Sequence, residues 1–479
     1  MSSTILFIVL VCFFGLLFGI SHFTSKNVNS ETFFTGNRRS PWYMVAFAMI
    51  GTTISGVTFI SVPGEVGHSG WTYLQFLLGN FVGYWAVALV LIPLYYKLNL
   101  VSIYTYLDQR FGVSSYKTGS FFFLVSRTIG ASFRMYLVAG VLQLAFFDAL
   151  GIPFVVTVAI AIFMIWAYTF RAGIKTVIWT DSLQTTFLLA SVVLTIILIS
   201  TQLNMSFGQM VKAIDEHPYR KIFDWDWRSK TNFFKQFVAG LGIVIVMNGL
   251  DQDMMQKSLT CKNQKDAQKN IFWFSLAFIF TNLLFLSLGV MLYIFAQLKG
   301  IPLTAKSDDF FPFLALNHFG TIAGVLFLLG IVSATYSSSD SALTALTTSF
   351  CIDFLNLNPK SPDSKSKRMK VHIGFSVLMF LVIVLFRFIN DESVVTAVFK
   401  VAGYTYGPLL GLFAFGILTK KQVKDRYVPI LGLLSPLLTY IINVNSVKWL
   451  GGYQFGFELL LLNGLIMFAG LLLLSKKEE

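Results

Sequence analysis

The sequence predicts an all-α polytopic membrane protein, on three observations: its composition, the length of its apolar runs, and the confinement of its charges to the gaps between them. Of 479 residues, 55% are hydrophobic and only 12% charged, with 50 Phe and a mean hydropathy of +0.70. A soluble domain places charge at roughly a quarter of its positions because its surface faces water. Most of this chain must therefore face lipid. The formal charge of +13 does not point to nucleic acid, since basic residues held in loops between apolar spans follow the positive-inside bias of membrane proteins. Cys12, Cys261 and Cys351 lie far apart without metal-ligand spacing, which argues against a disulfide framework and against zinc.

Runs of about 17 apolar residues or more can cross about 30 Å of hydrocarbon. The first, 3–22, lacks the basic segment and small-residue cleavage site of a signal peptide and reads as a retained span. Then follow 43–62, 72–96, 118–147, 153–170, 177–201, 233–250, 271–296, 321–351, 370–389, 393–418, 427–443 and 455–475, giving about 13 transmembrane helices in a single domain, 1–479. Alternate loops carry most of the Lys and Arg, among them Arg38, Arg39, Lys97, Arg110, Lys257, Lys262, Lys265, Lys360, Lys367, Arg368, Lys420 and Arg426. That bias predicts an N-terminus outside and a C-terminus in the cytoplasm of a cell membrane.

An odd number of spans leaves room for two inverted five-helix repeats, 43–201 and 233–418, with the extra span 3–22 before them and two more, 427–475, after them. In such repeats the first helix of each unit is broken at the midplane, and its freed backbone groups become ligands. Both candidate helices carry a break signal: Gly51-Thr52-Thr53-Ile54-Ser55-Gly56 in one and Asn248-Gly249-Leu250-Asp251-Gln252-Asp253 in the other. Close helix packing accounts for either alone; their matched placement favours the breaks.

The ninth span contains Ala334-Thr335-Tyr336-Ser337-Ser338-Ser339-Asp340-Ser341, then Thr344, Thr347 and Thr348. Ala334, Ser337, Ser338, Ser341, Thr344 and Thr348 recur at helical spacing and form one stripe, with Asp340 beside it. Hard cations such as sodium take several oxygen ligands, which hydroxyls and freed carbonyls supply. A single Ser bonding its own helix backbone would need no such reading, but the stripe with an intramembrane Asp favours an ion site. Asp181 in the sixth span fits either a helix cap or a cation ligand. In the fourth span Arg127 and Arg134 share a face, with Arg134 near mid-membrane, where a charge marks a functional path and requires a partner. That partner is a substrate carboxylate or a protein one such as Asp181 or Asp340. Arg127 and Lys400 lie nearer the surfaces, where long side chains snorkel to water.

Five segments carry a resemblance: Ile54-Ser55-Gly56 with Pro63-Gly64, Thr180-Asp181-Ser182-Leu183-Gln184, Asp251-Gln252-Asp253-Met254-Met255-Gln256-Lys257, the run from Ser337 to Asp353, and Gly407-Pro408-Leu409-Leu410-Gly411-Leu412. In that order and placement the chain resembles the sodium:solute symporter family, whose members include transporters of sugars, proline and sialic acid, over nearly its whole length. The resemblance implies a LeuT-like core of two inverted repeats working by alternating access. It implies a principal sodium site at Gly51, Ile54, Ala334, Ser337 and Ser338. A second cation site of some members would fall on Asp181, Ser337 and Ser341, with Asp340 where that site has a serine, leaving the ion count and any role for protons open. The aliphatic run Ile243 to Met247 departs from the sugar-transporting members. The solute pocket is similar to that of the sialic acid symporters, which implies Arg134 on a carboxylate, Thr53, Ser55 and Thr58 on the rest, and Trp71 and Gln75 as a wall.

The sequence therefore predicts sodium-coupled import of a small polar solute, one with a carboxylate, sialic acid-like or another organic anion. Sodium is the coupling ion and no cofactor is expected; the partners are solute, sodium and bilayer. No nucleophile, zinc ligand set or phosphate loop suggests an enzyme, and the five histidines are scattered. A channel would need a continuous polar path. The alternatives are a sodium- or proton-coupled sugar or amino-acid symporter and, from another class, a transporter-like membrane sensor. The short tail Lys476 to Glu479 argues against the sensor.

Overall fold

The computed structural model describes residues 3–24, 30–169, 173–358, 361, 363–389 and 394–475; Lys360 and the tail 476–479 lie outside them. Among the described residues there is no strand, only the isolated bridges Ser40–Cys261 and Val423–Ser475. Helices appear where an apolar run satisfies every backbone group within its own segment, the requirement lipid imposes. The principal helices are α1 (Ser3–Thr24), α2 (Trp42–Thr53), α3 (Gly56–Ser69), α4 (Tyr73–Ala86), α5 (Val113–Leu142), α6 (Phe154–Thr169) and α7 (Gly173–Gln202). After a long loop come α8 (Phe233–Val244), α9 (Gln252–Ser258), α10 (Gln264–Lys299), α11 (Ser307–Asn317), α12 (Thr321–Ser349), α13 (Ser364–Ile389), α14 (Val394–Thr405), α15 (Gly407–Leu418), α16 (Val428–Trp449) and α17 (Leu459–Leu473).

Among the described residues eight helices are long and apolar enough to cross a membrane, or up to 11 if each of three bent pairs is one span. The predicted spans 153–170 and 455–475 appear as α6 and α17, apolar helices of 16 and 15 residues. Large apolar side chains such as Phe163, Phe388, Leu418 and Leu473 cover the outside, as lipid contact requires.

The bent pairs are α2 with α3 at 58°, α8 with α9 at 68°, and the pair Thr396–Thr405 and Gly407–Leu418 at 47°. The first two breaks are the ones the glycine-rich signals predict. The third divides what the sequence presents as one span, 393–418. It falls where Gly407-Pro408 opens α15, because proline lacks the amide that would continue the ladder. At the second break α8 ends in a π-helical turn, Ile245–Gly249, and the Asp251 carboxylate caps α9 by accepting from Asp253 N at 2.9 Å.

The broken helix α2–α3 sits at the centre, α2 packing against α7, α10 and α12, and α3 against α10, α11 and α12. Two glycines make the approach possible. A Cβ at Gly51 would stand 2.2 Å from Thr185 Oγ1 on α7, and one at Gly56 would stand 2.1 Å from Thr335 Oγ1 on α12. Only glycine lets these helices close around the break.

Candidate solute and cation sites

At the α2–α3 break Ile54 leaves helical geometry at φ −80°, ψ 79°, and Ser55 is extended at φ −75°, ψ 175°. Ser55 N donates to Thr53 O at 3.0 Å instead of reaching back to Gly51 O. Neither Gly51 O nor Ile54 O then receives a backbone amide. Facing them, Ala334, Ser337 and Ser338 on α12 are fully buried. Ser337 Oγ lies 3.3 Å from Thr52 Oγ1 and 3.3 Å from the Cβ position of Gly51, while Ser338 Oγ donates to Thr335 O at 3.0 Å. Freed carbonyls on α2 and a serine hydroxyl on α12 thus lie close together at the break, beside the Asp181 carboxylate that Thr52 and Lys257 hold. That donor set suits a hard monovalent cation, which takes oxygen ligands.

Beside the break lies a cavity of about 80 Å³. Thr53, Ser55 and Thr58 line it from the broken helix and Arg134 from α5. No hydrogen bond or ion pair joins the Arg134 guanidinium to a described residue; the carboxylate that acts on it, at longer range, is Asp251, which is engaged with Arg127, and neither Asp181 nor Asp340 is its partner. Arg127, two helical turns away on the same face, is the ion-paired one. It is buried, hydrogen-bonded to Asp253 Oδ2 and 3.8 Å from Asp251, which corrects the expectation that it snorkels to the surface. Tyr406, at the third break, donates to Asp251 Oδ2 at 2.6 Å and ties α14 to the same network.

Trp71 and Gln75 do not line this cavity. Gln75 holds the long loop instead, donating to Thr231 O at 2.9 Å and accepting from Asp224 N at 3.1 Å, and Trp71 N donates to Lys221 O at 3.1 Å. The wall from α4 is Tyr73, Phe76, Asn80 and Tyr84, with Asn248 from the second break. Buried Thr53 Oγ1, Asn80 Oδ1 and Asn248 Oδ1 have no hydrogen-bond partner within the protein. Helical spacing of 73, 76, 80 and 84 was the available signal for this wall. Ile243, Val244 and Met247 complete the lining, apolar as their sequence implies.

The residues suggested for a second cation are spread over three partnerships. Asp181 lies well inside α7, which removes the helix-cap alternative, and its Oδ2 accepts from Lys257 Nζ at 2.6 Å and Thr52 Oγ1 at 3.0 Å. Lys257 also donates to Thr52 Oγ1. Ser341 donates to Asp253 Oδ1, and Asp340 Oδ2 accepts from the Tyr168 hydroxyl at 2.8 Å. Lys257 reads in sequence as an inner-loop charge; it is fully buried on α9.

Comparison with known proteins fits this geometry. The sodium:solute symporter family matches residues 33–425, and the chain belongs to that family. The sodium/sialic acid symporter NanT of Aliivibrio fischeri is 25% identical over 473 residues, spanning 93% of this chain and 88% of that protein. The sodium/sialic acid symporter SiaT of Proteus mirabilis is 24% identical, spanning 85% and 82%. A solved Na+-coupled sialic acid symporter, substrate-bound and outward-open, superposes with a TM-score of 0.83 at 21% identity over 99% of both chains. The fold is therefore the LeuT-like one of two inverted five-helix repeats, and the protein is a multi-pass sodium-coupled membrane transporter, not an enzyme.

Proposed function

We propose that this symporter imports a carboxylated organic solute, sialic acid-like or another organic anion, together with sodium. One observation carries the reading: the Arg134 guanidinium lines the cavity beside the broken helix, and the carboxylate that acts on it, Asp251, does so only at longer range while engaged with Arg127. A planar guanidinium in a low-dielectric cavity takes a carboxylate through two parallel N–H bonds, and a carboxylated solute supplies the missing charge. Thr53, Ser55 and Thr58 then bond the polar remainder, and sodium binds at Gly51, Ile54, Ala334, Ser337 and Ser338. Sodium there bridges α2 and α12, favours the outward-open arrangement and raises solute affinity, which is the coupling. A solute as large as sialic acid needs more than about 80 Å³, so the cavity widens as the segments on either side of the breaks move apart. The related symporters' named solute, sialic acid, carries the carboxylate that Arg134 calls for. The charge bias of the loops supports an N-terminus outside and a C-terminus inside.

Thermal unfolding of the purified protein tests the solute class. In sodium chloride, N-acetylneuraminate or a short monocarboxylate should raise the melting temperature, and in potassium chloride it should not, since a ligand stabilises only the state it binds. Stabilisation by galactose alone, indifferent to sodium, would remove the carboxylate reading.

A further inference from the structure

We infer that Lys257 is a tethered cation filling the position at Asp181 where a second coupling ion would sit, so that this symporter binds one Na+ per cycle. The inference rests on the proposed principal sodium site and adds to it the number of ions.

The Lys257 ammonium is fully buried and meets oxygens from two other elements: Asp181 Oδ2 on α7 at 2.6 Å and Thr52 Oγ1 on α2. Thr52 in turn touches Ser337 on α12 at 3.3 Å. Lys257 itself is on α9, the second half of the other broken helix. One compact charge thus joins both broken helices to α7, with α12 one contact further. A bound ion would make the same links with the same oxygens, because an ammonium donating three ways and a sodium accepting lone pairs demand similar surroundings. Of the other three residues suggested for a second ion, Ser337 touches Thr52, while Ser341 is engaged with Asp253 and Asp340 with Tyr168.

Charge gives an independent argument. Asp340 lies near enough to Asp181 and Lys257 to interact electrostatically with both, and all three are fully buried. With Asp340 ionised the three carry two negative charges and one positive, and Arg127, which also acts on Lys257, is offset by Asp253. A buried group of this kind is costly unless compensated. One sodium at the uncharged carbonyl and hydroxyl site beside them brings the sum to zero. A second sodium would leave the region positive.

Binding of 22Na+ to the purified protein, with no solute added, tests this directly. The wild type should bind one Na+ per chain with a Hill coefficient near one. Lys257→Met leaves two uncompensated carboxylates and should bind two Na+ per chain. In Lys257→Met/Asp181→Asn, which removes the pair as a unit and so guards against a single variant that fails to fold, the count should return to one. Two ions in the wild type, or one in a folded Lys257→Met, overturns the inference. So does loss of the remaining ion in the double variant, which would assign the pair to the principal site. Absence of any sodium binding in the wild type would instead fail the proposed function.

Discussion

Arg127 and Arg134 sit seven residues apart on one helix and both line the cavity, but Arg127 is paired with Asp253 and Asp251, whereas Arg134 has no such ion pair among the described residues. The two should therefore fail differently. Arg127→Ala strands buried carboxylates and should cost about 3–5 kcal/mol of stability, seen as a large drop in thermal unfolding temperature in detergent. Arg134→Ala should leave unfolding and 22Na+ binding near the wild type yet weaken a carboxylated solute by about 2–5 kcal/mol, roughly 30-fold or more, in direct binding. Equal behaviour of the two variants would put Arg134 among the structural residues. The depth of Arg134 in its span was legible in the sequence, and so were the hydroxyls that share its cavity. The pairing of Arg127 was not, because Asp251 and Asp253 reach it from more than a hundred positions away. Lys257 was misread for a related reason: a lysine next to a polar segment looks like a loop charge until the fold buries it against Asp181.

Among the elements, the break in α2–α3 depends on how closely α2 approaches α7 and α12. Gly51→Ala places a methyl 2.2 Å from Thr185 Oγ1, so α2 must shift, at a cost of about 1–3 kcal/mol, and sodium affinity should fall with it. Thr185→Ala in the same chain removes that oxygen and should restore part of the affinity; no recovery would show that the methyl acts elsewhere, as on Ser337 at 3.3 Å. Gly51 and Gly56 announced this break and Asn248-Gly249 the second, since a helix that loses its ladder at mid-membrane needs small residues around it. The third bend was missed although Gly407-Pro408 stood in the sequence, because an apolar run long enough to span conceals a change of direction within it. The α4 wall was likewise misplaced by one turn. Trp71 and Gln75 are polar enough to suggest a pocket, yet the long loop holds Gln75 by its side chain and Trp71 by its backbone amide.

For the whole molecule, composition alone fixed membrane residence, and the order of short motifs fixed the family. The tertiary arrangement of charge lay beyond both. One group of buried charges, Lys257 with Asp181 and Asp340, lies beside the proposed sodium ligands, and another, Arg127 with Asp251 and Asp253, ties α5 to α9 at the proposed solute cavity. The second broken helix supplies Lys257, Asp251 and Asp253 to these groups, and Thr52 of the first bonds Asp181 and Lys257, so in the proposed function ion and solute are coupled through shared moving parts. The most direct measurement is uptake into proteoliposomes holding an inward sodium gradient, with N-acetylneuraminate and short monocarboxylates offered beside galactose and proline. The account predicts that a carboxylated solute accumulates above its external concentration and that the excess collapses when an ionophore dissipates the sodium gradient. Uptake that never exceeds equilibrium, or that proceeds equally when potassium replaces sodium, would contradict it.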